Sequence, residues 1–232
     1  MSSQEQTLPT GNVSSMAMIR TLGGIAMISG FLVVLVFQAT LPAINENKRR
    51  AIERAVFQVI PGAVSRTDFL VDKSGVTPLA GTEASDGIKI YAGYDSENNL
   101  LGIAAEAAAQ GYQDVIRILY GYNPECQCIT GISVIKMTET PGLGDKIAKD
   151  PRFLANFDAL DATLNAQGNG LRNPIKAVKH GSKTETWQID AISGATISSN
   201  AIGKMLNERS QTLLPMLFPH VNKLKGKANG DS

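Results

Sequence analysis

Between Thr21 and Leu41 the chain reads TLGGIAMISGFLVVLVFQATL, without one charged side chain. About 20 apolar residues cross the hydrocarbon core of a bilayer as a helix, so this run predicts a single membrane span. Arg20 stands before it, and Lys48, Arg49 and Arg50 follow it. A cleaved signal peptide is the competing reading, but its apolar region covers only about 7–15 residues and ends at a small-x-small site that is not obvious here. A core helix of a soluble protein would keep a polar face over so many positions. The expectation is an uncleaved span over 21–41, with residues 1–20 as a short arm before it.

The side on which the rest of the chain lies is open on charge alone. Lys48, Arg49, Arg50 and Arg54 favour a cytoplasmic C-terminal domain by the positive-inside rule, yet long domains translocate against that bias. Composition excludes one partner class more firmly. The 232 residues carry 22 basic and 21 acidic side chains, and nucleic-acid binding needs a basic surplus. The hydrophobic share of 43% is enough to build a core.

Past the span, KRRAIERAVFQVI sets Ala51, Ile52, Ala55, Val56, Val59 and Ile60 on one stripe, and Pro61-Gly62 stops it. This predicts an amphipathic connecting helix within residues 42–62 whose basic side chains face water. Residues 88–136 then read as strands: IKIYAGY, a DSENN turn, LLGIAAEA, VIRILYGY, an NPE turn and ITGISVIK. Short runs rich in β-branched residues, joined by Asn, Asp, Gly and Pro turns, predict antiparallel hairpins rather than parallel crossover units. A polar loop near 165–174 and the run IKAVKH add a connection and a strand. The last periodic segment, ISSNAIGKMLNERSQTLL, aligns Ile197, Ala201, Ile202, Met205, Leu206, Leu213 and Leu214 on one helical face before Pro215. The fold class is therefore α+β: one antiparallel-sheet domain over residues 63–218 on a membrane stalk, followed by a polar tail over 219–232.

Familiar catalytic signatures are missing from this chain. His180 and His220 are its histidines, neither with a second ligand at metal spacing, so no metal site is expected and a solvated role suits each. Cys126 and Cys128 form a C-x-C in PECQCIT, which matches neither a redox C-x-x-C nor a haem site; a tight local disulfide and two free thiols both fit. No G-x-S-x-G elbow, P-loop or dinucleotide fingerprint occurs, and no catalytic dyad is found.

Two stretches stand out instead. In TETPGLGDK, residues 138–146, Gly142 and Gly144 let backbone amides approach a planar or anionic ligand while Pro141 stiffens the entry, although an ordinary turn has the same composition. In DAISGATISSN, residues 190–200, Ser193, Thr196, Ser198 and Ser199 crowd Gly194 at the start of a helix. Unpaired amides and the helix dipole attract an anion there, typically phosphate. Helix capping is the plain alternative, and it needs only one of these hydroxyls.

DAISGATISSNAI resembles the S-G-A-T flavinylation motif of the FMN-binding subunits of the Rnf electron-transport complex, and of their relatives in the sodium-pumping NADH:quinone oxidoreductase. The runs QGYQDVIRILYGYNPE, TETPGLGDKI and KDPRFLANF, after an N-terminal span, are similar to the G subunits of Rnf complexes in the same order. The resemblance covers most of residues 15–210; Cys126-x-Cys128 departs from it. It implies that Thr196 carries FMN through a phosphoester bond, with Ser193, Gly194 and Ala195 placing the hydroxyl. It further implies that Glu139, Thr140, Leu143, Gly144 and Lys146 line the isoalloxazine and ribityl chain. Asp190 matches the acidic residue recognised with the motif by a dedicated flavin transferase. The function implied is electron relay between ferredoxin and NAD, coupled to ion movement, beside integral membrane and redox subunits of the complex. The implied location is the inner membrane, with the flavin domain in the periplasm. A stand-alone extracytoplasmic flavin reductase and a reversible flavin-binding module are the alternatives.

Overall fold

The structure is a computed structural model that describes residues 14–72, 74–79 and 87–225. Residues 1–13 of the expected arm and 226–232 of the expected tail lie outside the described residues. The chain divides into two compact units, one ending at Arg49 and one beginning at Arg50.

Helix α1 spans Ser15–Val59 and runs through Pro42. The expected span and connecting helix are thus one helix. An interior proline removes one hydrogen bond at a cost of about 3 kcal/mol, which a helix of this length absorbs. Its first unit is long and apolar enough to cross a membrane, and Leu22, Ile25, Ile28, Phe31 and Leu35 are all exposed. Those side chains have no protein core to enter.

In the second unit, seven antiparallel strands form one sheet. They are β1 (Ser65–Asp72), β2 (Gly75–Pro78), β3 (Ile88–Tyr94), β4 (Leu100–Gln110), β5 (Val115–Asn123), β6 (Cys128–Lys136) and β7 (Leu160–Asp161), in the order β2-β1-β3-β4-β5-β6-β7. The expected hairpins appear with their turns, and Ala105 faces Tyr120 across β4 and β5. Strands β1 and β2 add to the pattern read from sequence. After the short helix α2 (Pro151–Leu154), a separate two-stranded sheet joins β8 (Lys176–Val178) to β9 (Gln188–Asp190) in parallel. Strand β8 is the one expected in IKAVKH.

Alternation along β5 sends Ile116, Ile118, Tyr120 and Tyr122 to one side, where helix α3 (Thr196–Leu217) brings Ala201, Ile202, Met205, Leu206, Leu213 and Leu214. Leu119 points the other way, against Ile52, Ala55, Val56, Val59 and Ile60. The stripe expected on the connecting helix is the one that is buried. A Cβ at Gly121 would collide with the Val59 carbonyl oxygen, so only glycine lets the helix end approach β5 this closely. Thr130 Oγ1 donates to the same oxygen at 2.7 Å.

Two boundaries differ from the sequence reading. Helix α3 continues past Pro215 to Leu217, because a proline near a helix end costs only one bond of the last turns. Residues Val221–Lys225, expected in the polar tail, form helix α4. Leu224 there is fully buried, and its carbonyl accepts a hydrogen bond from the Tyr94 hydroxyl at 3.1 Å.

Candidate functional site

The four hydroxyls around Gly194 divide into two pairs. Ser198 and Ser199 are buried, whereas Ser193 and Thr196 are exposed. Ser199 Oγ accepts the Ile192 amide at 3.1 Å and donates to the Ala195 carbonyl at 2.9 Å, which ties the loop to its helix. Ser198 Oγ donates to Glu139 Oε2 at 2.5 Å, across a sequence gap of 59 residues. The helix-capping reading fails for the exposed pair: Ala195 is the cap residue, and no side chain bonds to the first amides.

Among the described residues, helix α3 therefore opens without a side-chain cap on its first amides. The Ser199 amide reaches Ala195 O at 2.9 Å, and the amides of Thr196, Ile197 and Ser198 before it belong to the set that a helix leaves unsatisfied at its start. Thr196 is the first helical residue, so its hydroxyl stands beside those donors. Gly194 holds φ of +82°, a backbone conformation that side-chain-bearing residues rarely adopt.

A cleft of about 460 Å³ lies over this helix start. Its walls join Gly194, Ala195 and Thr196 to Glu139, Thr140, Leu143 and Gly144, two stretches 50 or more residues apart in the chain. Tyr112, Ile197 and Ser198 complete the lining. Tyr112, Leu143 and Ile197 present apolar surface to solvent, exposed to 66%, 48% and 53%. The placement of Ile197 corrects the helical face read from sequence: it points into the cleft instead of the core. Periodicity put it one turn before Ala201, but at the helix start that direction meets the cleft, where Ile197 is exposed.

Glu139 is buried at 7% exposure and is held from two sides. The Gln113 amide donates to Oε1 at 3.2 Å while Ser198 takes Oε2. This carboxylate fastens the loop before β5, the segment after β6 and helix α3 together. Asp145 shapes the next turn by accepting the Gly142 amide at 2.7 Å and Lys149 Nζ at 2.9 Å. Hydrogen bonding from Lys149 and Gly142 holds the Asp145 carboxyl below its ordinary value.

Ser193 and Lys146 turn away into an adjoining recess of about 220 Å³, shared with Asp150, Arg152, His180 and Asp190. His180 is half-exposed, with Nδ1 3.1 Å from Asp190 Oδ2 and 3.1 Å from the Ala191 carbonyl. The sequence reading, which gave this histidine a solvated role, missed the carboxylate partner that chain folding supplies. It also missed Tyr112, for which an aromatic residue next to Gly111 in the loop before β5 was the available signal. Cys126 and Cys128 are joined as a disulfide in the turn between β5 and β6, which decides between the two readings of the C-x-C.

Residues 111–210 match the FMN-binding domain family. In sequence, the chain is similar to the G subunit of the ion-translocating oxidoreductase complex from Methanosarcina acetivorans, 30% identical over 191 residues that cover 79% of this chain and 86% of the relative. The Haemophilus influenzae G subunit is 30% identical over 201 residues, covering 84% and 87%. The Shewanella piezotolerans G subunit is 27% identical over 214 residues, covering 83% and 90%. Among solved structures, NqrC from Shewanella oneidensis superimposes with a TM-score of 0.57 at 19% identity, covering 78% of this chain and 99% of that one. The C subunit of the Na(+)-translocating NADH-quinone reductase from Parabacteroides distasonis gives 0.59 at 19%, covering 77% and 96%. These two show a shared fold. With the sequence relatives beside it, this chain belongs to the family of G subunits of ion-translocating oxidoreductase complexes.

Proposed function

We propose that this membrane-anchored subunit of an Rnf complex carries its FMN covalently, through a phosphoester to Thr196 Oγ1, on the outer side of the membrane. The observation that carries the reading is the exposed Thr196 hydroxyl at the uncapped start of helix α3, inside the cleft that Glu139, Thr140, Leu143 and Gly144 close from the far side. A phosphate at that hydroxyl meets the helix-start amides and the positive end of the dipole. The apolar surfaces of Tyr112, Leu143 and Ile197 suit a planar ring system. Gly194 and Ala195 set the loop, while Ser193 and Lys146, which line the next recess, would reach the group only from its edge.

Attachment is a redox-neutral group transfer. The Thr196 Oγ1–P bond forms as the anhydride P–O bond of a flavin nucleotide breaks, the departing phosphate keeps the electron pair, and the hydroxyl proton is lost. A flavin transferase supplies this step. Bound flavin provides one- and two-electron transfer, while the chain provides position and a defined electrostatic setting. That division suits a relay protein without a catalytic dyad. The Cys126–Cys128 disulfide supports the outer side, because such bonds persist in oxidising compartments.

The test uses the full chain made together with a flavin transferase. Wild type is expected to fluoresce yellow on a denaturing gel, with FMN minus water on the peptide that contains Thr196. Thr196→Val should abolish both. Flavin that leaves the unfolded wild-type chain, or that stays on Thr196→Val, overturns the reading.

A further inference from the structure

The acidic residue that opens the motif is half-buried, and both of its carboxylate oxygens have partners within the domain. Asp190 Oδ1 accepts the Gly181 amide at 2.7 Å, and Oδ2 lies 3.1 Å from His180 Nδ1. That ring nitrogen also faces the Ala191 carbonyl, so both of its neighbours are acceptors and Nδ1 carries the hydrogen. The backbone of Asp190 is gripped as firmly by Asn156, a residue from KDPRFLANF. Asn156 is buried at 7% exposure. Its Oδ1 accepts the Asp190 amide at 2.9 Å, and its Nδ2 donates to the Phe153 carbonyl at 2.9 Å and to the Asp190 carbonyl at 3.4 Å. The side-chain amide thus pairs with Asp190 as a neighbouring strand does. Lys183 Nζ donates to the same Oδ1 at 3.1 Å.

The chain of contacts continues toward the helix. Ala191 donates to Val178 O at 3.0 Å, Ile192 donates to Ser199 Oγ at 3.1 Å, and Ala195 donates to Ile192 O at 3.0 Å. Between Asp190 and Thr196, the exposed members of the loop are Ser193 and Gly194.

We propose that Asn156 and Asp190 are positioning residues: they brace the loop from within, and the motif's acidic residue acts through the place it gives Thr196 rather than through its charge. The proposal rests on Thr196 as the attachment point. An exposed hydroxyl accepts a phosphoryl group only when held in line with the departing oxygen, and small misplacements are costly for such alignment. Without the brace, Thr196 starts a helix from a loop with no fixed entry.

The test compares full-length Asp190→Asn, Asp190→Ala, Asn156→Ala and Asn156→Asp with wild type. It reads the initial rate of covalent flavin incorporation by gel fluorescence, the melting temperature, and amide hydrogen exchange over residues 190–195. Asp190→Asn keeps an oxygen for the Gly181 amide, so its rate should stay within about threefold of wild type, whereas Asp190→Ala, which loses both side-chain contacts, and Asn156→Ala, which loses a buried hydrogen-bond partner, should each slow it about tenfold or more. Asn156→Asp keeps Oδ1 and loses one donor, so it should fall between them, and it serves if Asn156→Ala does not fold. Exchange over 190–195 should quicken in Asn156→Ala whether or not flavin is attached. An Asp190→Asn rate as low as that of Asp190→Ala, beside wild-type incorporation in Asn156→Ala, overturns the brace. Unchanged exchange in Asn156→Ala overturns it as well. Failure of the attachment reading looks different: wild type and Thr196→Val then stay equally unlabelled, while the exchange result still decides the brace.

Discussion

The two ends of the β5–β6 hairpin are built on different terms. At one end a disulfide closes the turn around a single residue, Gln127, which adopts φ of +51°. From that position Gln127 accepts the Ala162 amide at 3.0 Å with its carbonyl and the Leu164 amide at 3.1 Å with its side chain. Covalent closure therefore also fixes the segment after β7. The other end has no covalent tie. There the loop before β5 and the segment after β6 meet around Glu139, through the Gln113 amide and the Ser198 hydroxyl. The difference shows where the chain keeps room for a ligand. A staple suits an end where nothing has to enter, and a hydrogen-bonded hub suits an end that keeps a cleft and an exposed hydroxyl.

The sharpest way to break the contrast is to fill the hub. A Cβ at Gly144 would lie 2.6 Å from Glu139 Oε2 and 3.1 Å from Ser198 Oγ. Gly144→Ala should cost about 3 kcal/mol, the upper range for overpacking, and should lower flavin incorporation by displacing Glu139. Chemical denaturation and gel fluorescence measure the two effects. A variant as stable as wild type would show that the hub yields easily.

Removing the hub residue should cost somewhat less. Glu139→Ala leaves the Gln113 amide and the Ser198 hydroxyl without their acceptor, a loss of about 2 kcal/mol. Glu139→Gln retains an acceptor oxygen and should recover part of it. The melting temperatures of the two variants give the comparison directly, and equal values would mean that the charge rather than the geometry holds this end.

At the stapled end, reduction should have a smaller and more local consequence. Opening a ring that spans so few residues releases little chain entropy, about 1.5 kcal/mol by the loop-closure relation. Hydrogen exchange is expected to quicken at Ala162 and Leu164, and flavin incorporation to stay unchanged. A loss of flavin on reduction would connect the two ends and undo the contrast.

The two ends also differed in how far the sequence revealed them. The strands were readable because Ile, Val and Tyr alternate between turns, so the hairpin and its disulfide turn could be placed from local signals. The motif loop and the glycine-rich stretch were readable as segments, but their meeting was not. Glu139 and Ser198 are 59 positions apart, and nothing local marks either as the other's partner. Asn156 was less visible still, since an asparagine in a short helical stretch has many uses, and only the folded chain brings Asp190 to its amide. Ile197 was misread for a related reason. Helical spacing gives the direction of a side chain, while what packs against that part of the helix decides whether the direction meets core or cleft. Strand β8 was legible within IKAVKH, whereas β9, three residues long, is too short for alternation to declare it.

The smallest expected effect concerns Tyr122, on β5 near the stapled end. Its hydroxyl is buried without a hydrogen-bond partner among the described residues, and burial pushes its pKa up to about 12. An unpartnered buried hydroxyl costs stability, so Tyr122→Phe should gain up to about 1 kcal/mol at neutral pH. The pH dependence has a definite sign. A tyrosine whose folded pKa lies above its unfolded value near 10 stabilises the fold below pH ~10, and that contribution is lost as pH rises toward the folded value. The Phe variant has no such proton to lose. Its advantage over wild type should therefore grow by about 1 kcal/mol between pH 8 and pH 11, as read from urea unfolding at the two values. A constant difference across that range would mean that the hydroxyl reaches water in solution. The stapled end would then be looser than its covalent closure suggests.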